Sequence, residues 1–104
     1  AWFVTPYPFP ADMPWTADFV AAYRSLGPHV SPPGSLALPA YEATWVVLEA
    51  LERDIAAHGA PSRAGVAAAL ATVERDGLLG RIAFDSQGDW DDAPLYWYRG
   101  WVRE

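Results

Sequence analysis

Residues 76–89 read DGLLGRIAFDSQGD, and they are the most specific structural signal in the sequence. The apolar run at 78–84 predicts a β-strand, and the aspartates and glycine at 85–89 favour a turn after it. A second run rich in aromatic and branched side chains follows at 95–102. We therefore expect the two runs to pair as a hairpin with a long acidic connection.

Upstream of this stretch, the longest periodic segment predicts a helix over residues 40–58. Its apolar side chains recur at helical spacing and predict one stripe that faces the core: Tyr41, Trp45, Leu48, Leu51 and Ile55. The charged residues Glu42, Glu49, Arg53 and Asp54 lie mostly outside that stripe. His58 and Gly59 are typical of a helix end, because a cation and a glycine are both favoured there.

Two shorter helices are predicted on either side of the long one. Thr16 is the expected N-cap of the first, and Gly27 with Pro28 ends it. Ser62 is the expected N-cap of the other, which ends near residues 76–77. The prolines and glycines between residues 27 and 39 predict a loop.

The first fourteen residues divide into a strand and a proline-rich segment. Residues 2–5, WFVT, predict a buried strand that Pro6 ends. Further prolines at positions 8, 10 and 14 predict an extended surface segment, since proline fits neither a helix interior nor a central strand. No short link joins the first strand to the last two runs, so we expect it to be unpaired. The sequence shows no secretory signal, and we expect it to be part of a longer protein.

Composition excludes several classes of protein. The 104 residues carry a net charge of -6 and no cysteine, which favours one small domain without disulfides, a thiol nucleophile or a cysteine zinc site. Arginines are scattered singly and the acidic side chains outnumber the basic ones, so we expect no nucleic-acid partner. No apolar run approaches the ~18 residues of a membrane span.

The acidic residues at the end of the chain raise the question of a metal site. Asp85, Asp89, Asp91 and Asp92 could supply oxygen ligands to calcium, but their spacing does not match an EF-hand loop. A solvated turn is the preferred interpretation. His29 and His58 are separated by a whole helix, and no serine lies in a G-x-S-x-G motif. We therefore expect no metal, no cofactor and no enzyme activity.

The six tryptophans could form a platform on which a sugar or a base stacks. Four of them fall in predicted strands or in the helix stripe, where burial is the expected role: Trp2, Trp45, Trp97 and Trp101. Only Trp15 and Trp90 remain as candidates for stacking on a ligand.

The run G-L-x-G-x-I-x-F-D-x-x-G-D at 77–89 resembles the C-terminal part of type I periplasmic binding proteins. These are the extracytoplasmic amino-acid receptors of ABC importers, above all the branched-chain amino acid binding group. Tyr41-Glu42-Ala43 at the start of the long helix and Phe3-Val4-Thr5-Pro6-Tyr7 are similar to the same family. One departure is Glu42, where the family usually has aspartate. The resemblance implies an α/β fold of about three helices with a few strands, as a fragment of a lobe.

The resemblance also implies an organisation into lobes. Family members clamp their ligand between two α/β lobes that crossing strands join. Residues 1–5 would end the C-terminal lobe, residues 6–93 would form the second half of the N-terminal lobe, and residues 94–104 would cross back. Thr5 and Pro6 would form one hinge crossing, and Pro94 and Leu95 would form another.

Ligand contacts and partners follow from the same resemblance. Tyr41, Leu36 and Tyr7 would line or border the ligand site, although each also fits an ordinary packing role in its helix, loop or linker. The intact parent would bind an amino-acid-like small molecule, deliver it to the permease of an ABC transporter, and act in the periplasm or outside the cell. Because the family holds the ligand's charged groups mainly through earlier residues, the chain alone should bind little.

A second hypothesis is a self-associating structural module that binds no ligand. The aromatic side chains present more apolar surface than a chain of 104 residues can bury by itself. Unpaired strand edges also favour association with a second copy. We therefore expect a homodimer in which residues 2–5 or 95–102 pair with or pack on a second copy.

Overall fold

One short strand, three helices and three further short strands follow one another along residues 2–99, the part of the chain that this computed structural model describes. In chain order they are β1 (Trp2–Thr5), α1 (Ala17–Arg24), α2 (Ala37–His58), α3 (Arg63–Leu70), β2 (Arg75–Gly77), β3 (Gly80–Ile82) and β4 (Tyr96–Arg99). The chain is therefore α/β with three helices, as the sequence predicts. None of the helices among residues 2–99 combines the length and the apolar character that crossing a membrane requires.

The described residues divide into two compact units. The first contains residues 2–39 and 94–99, and the second contains residues 40–93. Each unit holds one two-stranded antiparallel ribbon. In the first, β1 pairs with β4 so that Trp2 lies opposite Arg99 and Thr5 opposite Tyr96. In the second, β2 pairs with β3.

These pairings contradict the predicted hairpin between 78–84 and 95–102 and the predicted unpaired first strand. The run at 78–84 turns back on residues 75–77 because Leu78 and Leu79 form a two-residue loop, with Gly80 at φ 97°. Such a loop closes at a smaller entropic cost than a long acidic connection. The predicted strand residues 100–102, including Trp101, lie outside the described residues.

The predicted burial of the first strand is wrong within the described chain. Trp2 is 64% exposed, and Trp97 on the paired strand is 70% exposed. By contrast, Pro8, Pro10 and Met13 in the predicted surface segment are buried. Two 3-10 turns, Pro10–Asp12 and Pro14–Thr16, replace the expected extended chain.

The starts of α1 and α3 and the ends of α1 and α2 lie close to the predicted positions. Helix α3, however, ends at Leu70 and not near residues 76–77, because Arg75–Gly77 pairs with β3 as a strand. Thr16 does precede α1, but its hydroxyl lies 2.5 Å from the carbonyl oxygen of Pro10 and does not cap the helix. Ser62 caps α3 by accepting a hydrogen bond from the Gly65 amide. The long helix begins at Ala37, so Pro39 lies in its first turn, where a missing N–H costs no helical hydrogen bond.

The buried side of α2 is not the one that the hydrophobic pattern indicates. The side chains at Glu42, Val46, Ala50 and Asp54, each four residues apart, are buried. The predicted core stripe is instead on the surface of the described chain: Tyr41, Trp45, Leu48 and Ile55 are 40–47% exposed. Val46 and Ala50 form the core of the second unit with Val73 and Ile82.

The row of four buried residues on α2 begins and ends with a carboxylate, and each carboxylate accepts hydrogen bonds. Glu42 accepts hydrogen bonds from the Arg75 Nε and from the Leu78 amide, both at 3.0 Å. Asp54 accepts one from the Ser62 amide at 2.8 Å, and its Oδ1 lies 2.7 Å from Nδ1 of His58. The first carboxylate therefore holds the β2–β3 ribbon to α2, and the second holds the connection to α3.

Glycines allow this close approach. A Cβ atom on Gly65 would overlap the Asp54 carboxylate, and one on Gly77 would overlap the Glu42 carboxylate. Any larger residue would push the carboxylate away from its donors.

We expect Gly65→Ala and Gly77→Ala each to lower the free energy of unfolding by roughly 1–3 kcal/mol, the usual cost of overpacking. Gly34→Ala is the matched control, because a Cβ there meets nothing within 4 Å. Urea unfolding measures the free energy of unfolding of the three variants. Equal stability of all three would show that the carboxylate contacts do not constrain these positions.

Stability should also depend on the ionisation of Asp54. The Ser62 amide and then His58 hold the pKa of this carboxyl below its ordinary value of 3.8. A lowered pKa in the folded state means that the ionised group stabilises the fold above that value, and that this contribution is lost as the pH falls through the folded-state pKa.

We therefore expect Asp54→Asn to be less stable than the parent chain at pH 7, and the difference to shrink as the pH is lowered below 3.8. Urea titrations across this pH range measure it. Glu52→Gln, at an exposed position of the same helix, is the control. A difference that stays constant with pH would contradict the assignment.

Candidate functional site

The three predicted ligand contacts lie on the surface of the described chain. Tyr7 and Leu36 belong to the first unit and are 43% and 66% exposed, and Tyr41 belongs to the second unit and is 40% exposed. Exposure leaves all three side chains accessible to a small molecule, and their role as ligand contacts stays a prediction.

Tyr41 lies in the first half of α2 and contacts Trp45, which in turn contacts Arg75. Its ring meets that of Trp45 edge to face, with 6.2 Å between centroids and 78° between planes. The Arg75 guanidinium lies 5.4 Å from the centre of the Trp45 ring, within cation–π range. Because Arg75 also donates to the buried Glu42, the ribbon β2–β3 fixes the ring that contacts Tyr41.

A shallow polar depression of about 400 Å³ lies beside these contacts in the second unit. It is lined by Trp45, Leu48, Glu49, Glu52, Glu74, Arg75 and Asp76. Two of its carboxylates are already paired, Glu49 with Arg53 at 2.9 Å and Glu74 with Arg81 at 3.0 Å. The depression therefore combines an aromatic wall with an acidic rim.

The predicted hinge residues lie together at one end of the β1–β4 ribbon. Thr5 is the last residue of β1 and lies opposite Tyr96, the first residue of β4. Pro6 follows the first strand, and Pro94 and Leu95 precede the second. The Thr5 hydroxyl also accepts a hydrogen bond from the Tyr7 amide at 3.0 Å. The residues of the two predicted crossings are therefore neighbours at this end of the ribbon.

Tyr98 joins the proline-rich segment to the β1–β4 ribbon by hydrogen bonds. Its hydroxyl accepts a hydrogen bond from the Phe9 amide and donates one to Asp12, both at 2.9 Å. An open cavity of about 340 Å³ lies nearby, with mostly aromatic walls. It is lined by Trp2, Pro8, Asp12, Met13, Trp15, Tyr96, Trp97, Tyr98 and Arg99.

The acidic connection at 85–89 is a turn built around one side chain. The Asp85 carboxylate accepts hydrogen bonds from the amides of Gln87 and Asp89, at 2.9 and 3.0 Å. Trp90, a candidate for ligand stacking, is half-buried against the core and donates to the Arg81 carbonyl. No group of three or more potential metal-ligating side chains occurs among residues 2–99.

The model of the family described as periplasmic binding protein matches residues 1–98 of the chain. The chain belongs to the periplasmic binding protein family. This family is a class of binding proteins without enzyme activity, and it acts outside the cytoplasm.

A solved structure supports the same fold. The chain is similar to the leucine binding protein LivK from Thermotoga maritima, with a TM-score of 0.63 and 24% identity over 94% of this chain. The chain spans 29% of the length of LivK. It therefore adopts part of the type I periplasmic-binding-protein fold. No curated protein matches the sequence significantly.

Sequence reasoning missed the buried carboxylates of this periplasmic binding protein. Glu42 and Asp54 lie outside the stripe that the sequence predicts to face the core, and carboxylates are seldom buried unless they are paired. The available signal was their spacing with Val46 and Ala50, four residues apart throughout, which places all of them on one side of a helix.

Proposed function

We propose that the chain is the C-terminal part of an extracytoplasmic receptor that captures an amino acid or a similar small molecule. The bound ligand passes to the permease of an ABC importer. The observation that carries this proposal is the family match over residues 1–98, together with the likeness to part of a leucine binding protein. The chain itself catalyses no reaction and uses no cofactor.

In this proposal the intact receptor closes on its ligand by bending at two crossings. Residues 1–5 end the C-terminal lobe, residues 6–93 belong to the N-terminal lobe, and residues 94–104 cross back. The position of Thr5, Pro6, Pro94 and Leu95 at one end of the same ribbon supports this assignment, since adjacent hinges can rotate together.

Tyr41 is the proposed principal ligand contact of the chain, and Leu36 and Tyr7 are further proposed ligand contacts. The edge-to-face contact with Trp45 limits the motion of the Tyr41 ring, and a ring held in place loses little entropy when a ligand binds.

We expect Tyr41→Ala in the complete receptor to weaken binding of the probe L-leucine by about 1–3 kcal/mol, the value of a buried aromatic contact. Isothermal titration calorimetry measures the affinity, and thermal unfolding measures stability. Leu26→Ala is the control, because Leu26 is 76% exposed and lies outside the proposed site. Unchanged affinity with a lower melting temperature would make Tyr41 a structural residue only.

A second candidate function is a self-associating module without a ligand. The exposed tryptophans of the β1–β4 ribbon favour it: Trp2 and Trp97 meet edge to face, with 6.5 Å between centroids, and both are largely exposed. Exposed aromatic surface of this kind is typical of protein interfaces.

On that hypothesis the 104-residue chain forms a homodimer through the β1–β4 ribbon. The total surface area that the two copies bury between them exceeds roughly 2,000 Å². Sedimentation velocity at micromolar concentration measures the association. Trp97→Ser should shift the chain to a monomer, and Leu26→Ser, at an exposed position outside the ribbon, should not. A parent chain that is monomeric at all concentrations excludes the module.

A further inference from the structure

The open cavity of the first unit brings together three tryptophans that come from different parts of the sequence. Trp2, Trp15 and Trp97 all line it, and they are 59–70% exposed. Its volume of about 340 Å³ is at the lower end of the ~300–1,000 Å³ of ordinary ligand sites. The cavity therefore has the size of a site for a small molecule, and aromatic side chains form much of its wall.

The aromatic walls favour a positively charged group. The rings of Trp2 and Trp97 meet at 76°, so their planes form two walls that adjoin at an angle. The face of an indole ring is electrically negative and attracts a cation, and tryptophan is the strongest of the aromatic residues in this respect. A methylated ammonium group suits such walls best, because its methyl groups also gain from leaving water.

Asp12 adds a carboxylate to the same cavity, and hydrogen bonds hold it in position. The Tyr98 hydroxyl donates a hydrogen bond to its Oδ2 at 2.9 Å and accepts one from the Phe9 amide. A carboxylate can accept several hydrogen bonds, so this contact positions the group and leaves its negative charge beside the aromatic walls. A group that is already in place loses little entropy when a ligand binds.

Arg99 supplies the opposite charge. It lies opposite Trp2 in the β1–β4 ribbon and two residues after Trp97, so the three side chains share one face. It is exposed and has no ion-pair partner among residues 2–99. A guanidinium binds a carboxylate through two parallel hydrogen bonds. A ligand with a positive charge alone would be repelled by Arg99, whereas a ligand that carries both charges can pair with both side chains.

We propose that this cavity binds a small zwitterion whose positive group is a methylated ammonium and whose negative group is a carboxylate. The ammonium lies against the tryptophans and beside Asp12, and the carboxylate pairs with Arg99. None of the three proposed receptor contacts is among the residues that line the cavity: Tyr7, Leu36 and Tyr41. The proposal is therefore a second site, and it does not rest on the proposed function.

Three probes of nearly equal size separate the two charges. Glycine betaine carries both, choline has the ammonium without the carboxylate, and tert-butylacetate has the carboxylate with a neutral group in place of the ammonium. Calorimetric titration of the 104-residue chain measures the three affinities. We expect glycine betaine to bind at least about tenfold more tightly than tert-butylacetate and about fivefold more tightly than choline. Equal affinity for glycine betaine and tert-butylacetate would overturn the proposal, and so would the absence of glycine betaine binding.

Variants test the two ends of the cavity, and circular dichroism checks that each one folds. Trp97→Leu keeps an apolar side chain but removes the aromatic face, so it should weaken glycine betaine about fivefold more than tert-butylacetate. Equal weakening of the two probes would refute the contact between the ammonium and the ring.

Arg99→Gln should lower the affinity for glycine betaine to about that for choline. Arg24→Gln is the matched control, because Arg24 is exposed on α1 and does not line the cavity. An equal loss of affinity in the control variant would reduce the role of Arg99 to a general effect of charge and would refute the pairing with the carboxylate.

A second copy of the chain is the competing occupant of the cavity, and sedimentation velocity with and without glycine betaine tests it. A dimer that binds no glycine betaine would assign the tryptophans to an interface and overturn the proposal. In the complete receptor, glycine betaine that L-leucine does not displace would support a separate site, whereas displacement would overturn it. A receptor that binds glycine betaine but not L-leucine would contradict the proposed receptor ligand alone.

Discussion

The buried carboxylate of Glu42 is the contact on which the second unit depends. It is 2% exposed, and its donors, the Arg75 side chain and the Leu78 amide, both come from the β2–β3 ribbon. Removing one partner of a buried ion pair usually costs about 3–5 kcal/mol, because a charge is left without compensation. The same carboxylate joins the hairpin to α2 and holds the Arg75 side chain that lies over the Trp45 ring.

Much of the fold could be predicted from the sequence because local signals govern where helices begin and end. His58-Gly59, Ser62 and Thr16 all mark helix ends where the sequence places them. The orientation of α2 could not be predicted in the same way. The hydrophobic pattern alone predicts that the side of α2 with Trp45 and Leu48 is buried. The described chain instead buries the side whose carboxylates accept hydrogen bonds.

Strand pairing was the weakest part of the prediction, for a related reason. Both runs at 78–84 and 95–102 have strand character, but strand character does not specify a partner. Gly77 and Gly80 permit a tight turn between β2 and β3. Because β3 pairs with β2, β4 is available to pair with β1. The candidate site was accessible only through the family resemblance, because Tyr41, Leu36 and Tyr7 form no motif that by itself indicates a ligand site.

The pairing of β1 with β4 has a consequence for how the chain is made. Thr5 and Tyr96 are opposite each other although 91 positions (96 − 5) separate them. During synthesis, the WFVT strand leaves the ribosome long before its partner, while the second unit between them can already fold through contacts close in sequence. Until β4 has been synthesised, the edge of β1 lacks its partner and is open to solvent and to neighbouring nascent chains. A chaperone that binds unpaired strand edges would therefore have access to β1 until β4 pairs with it.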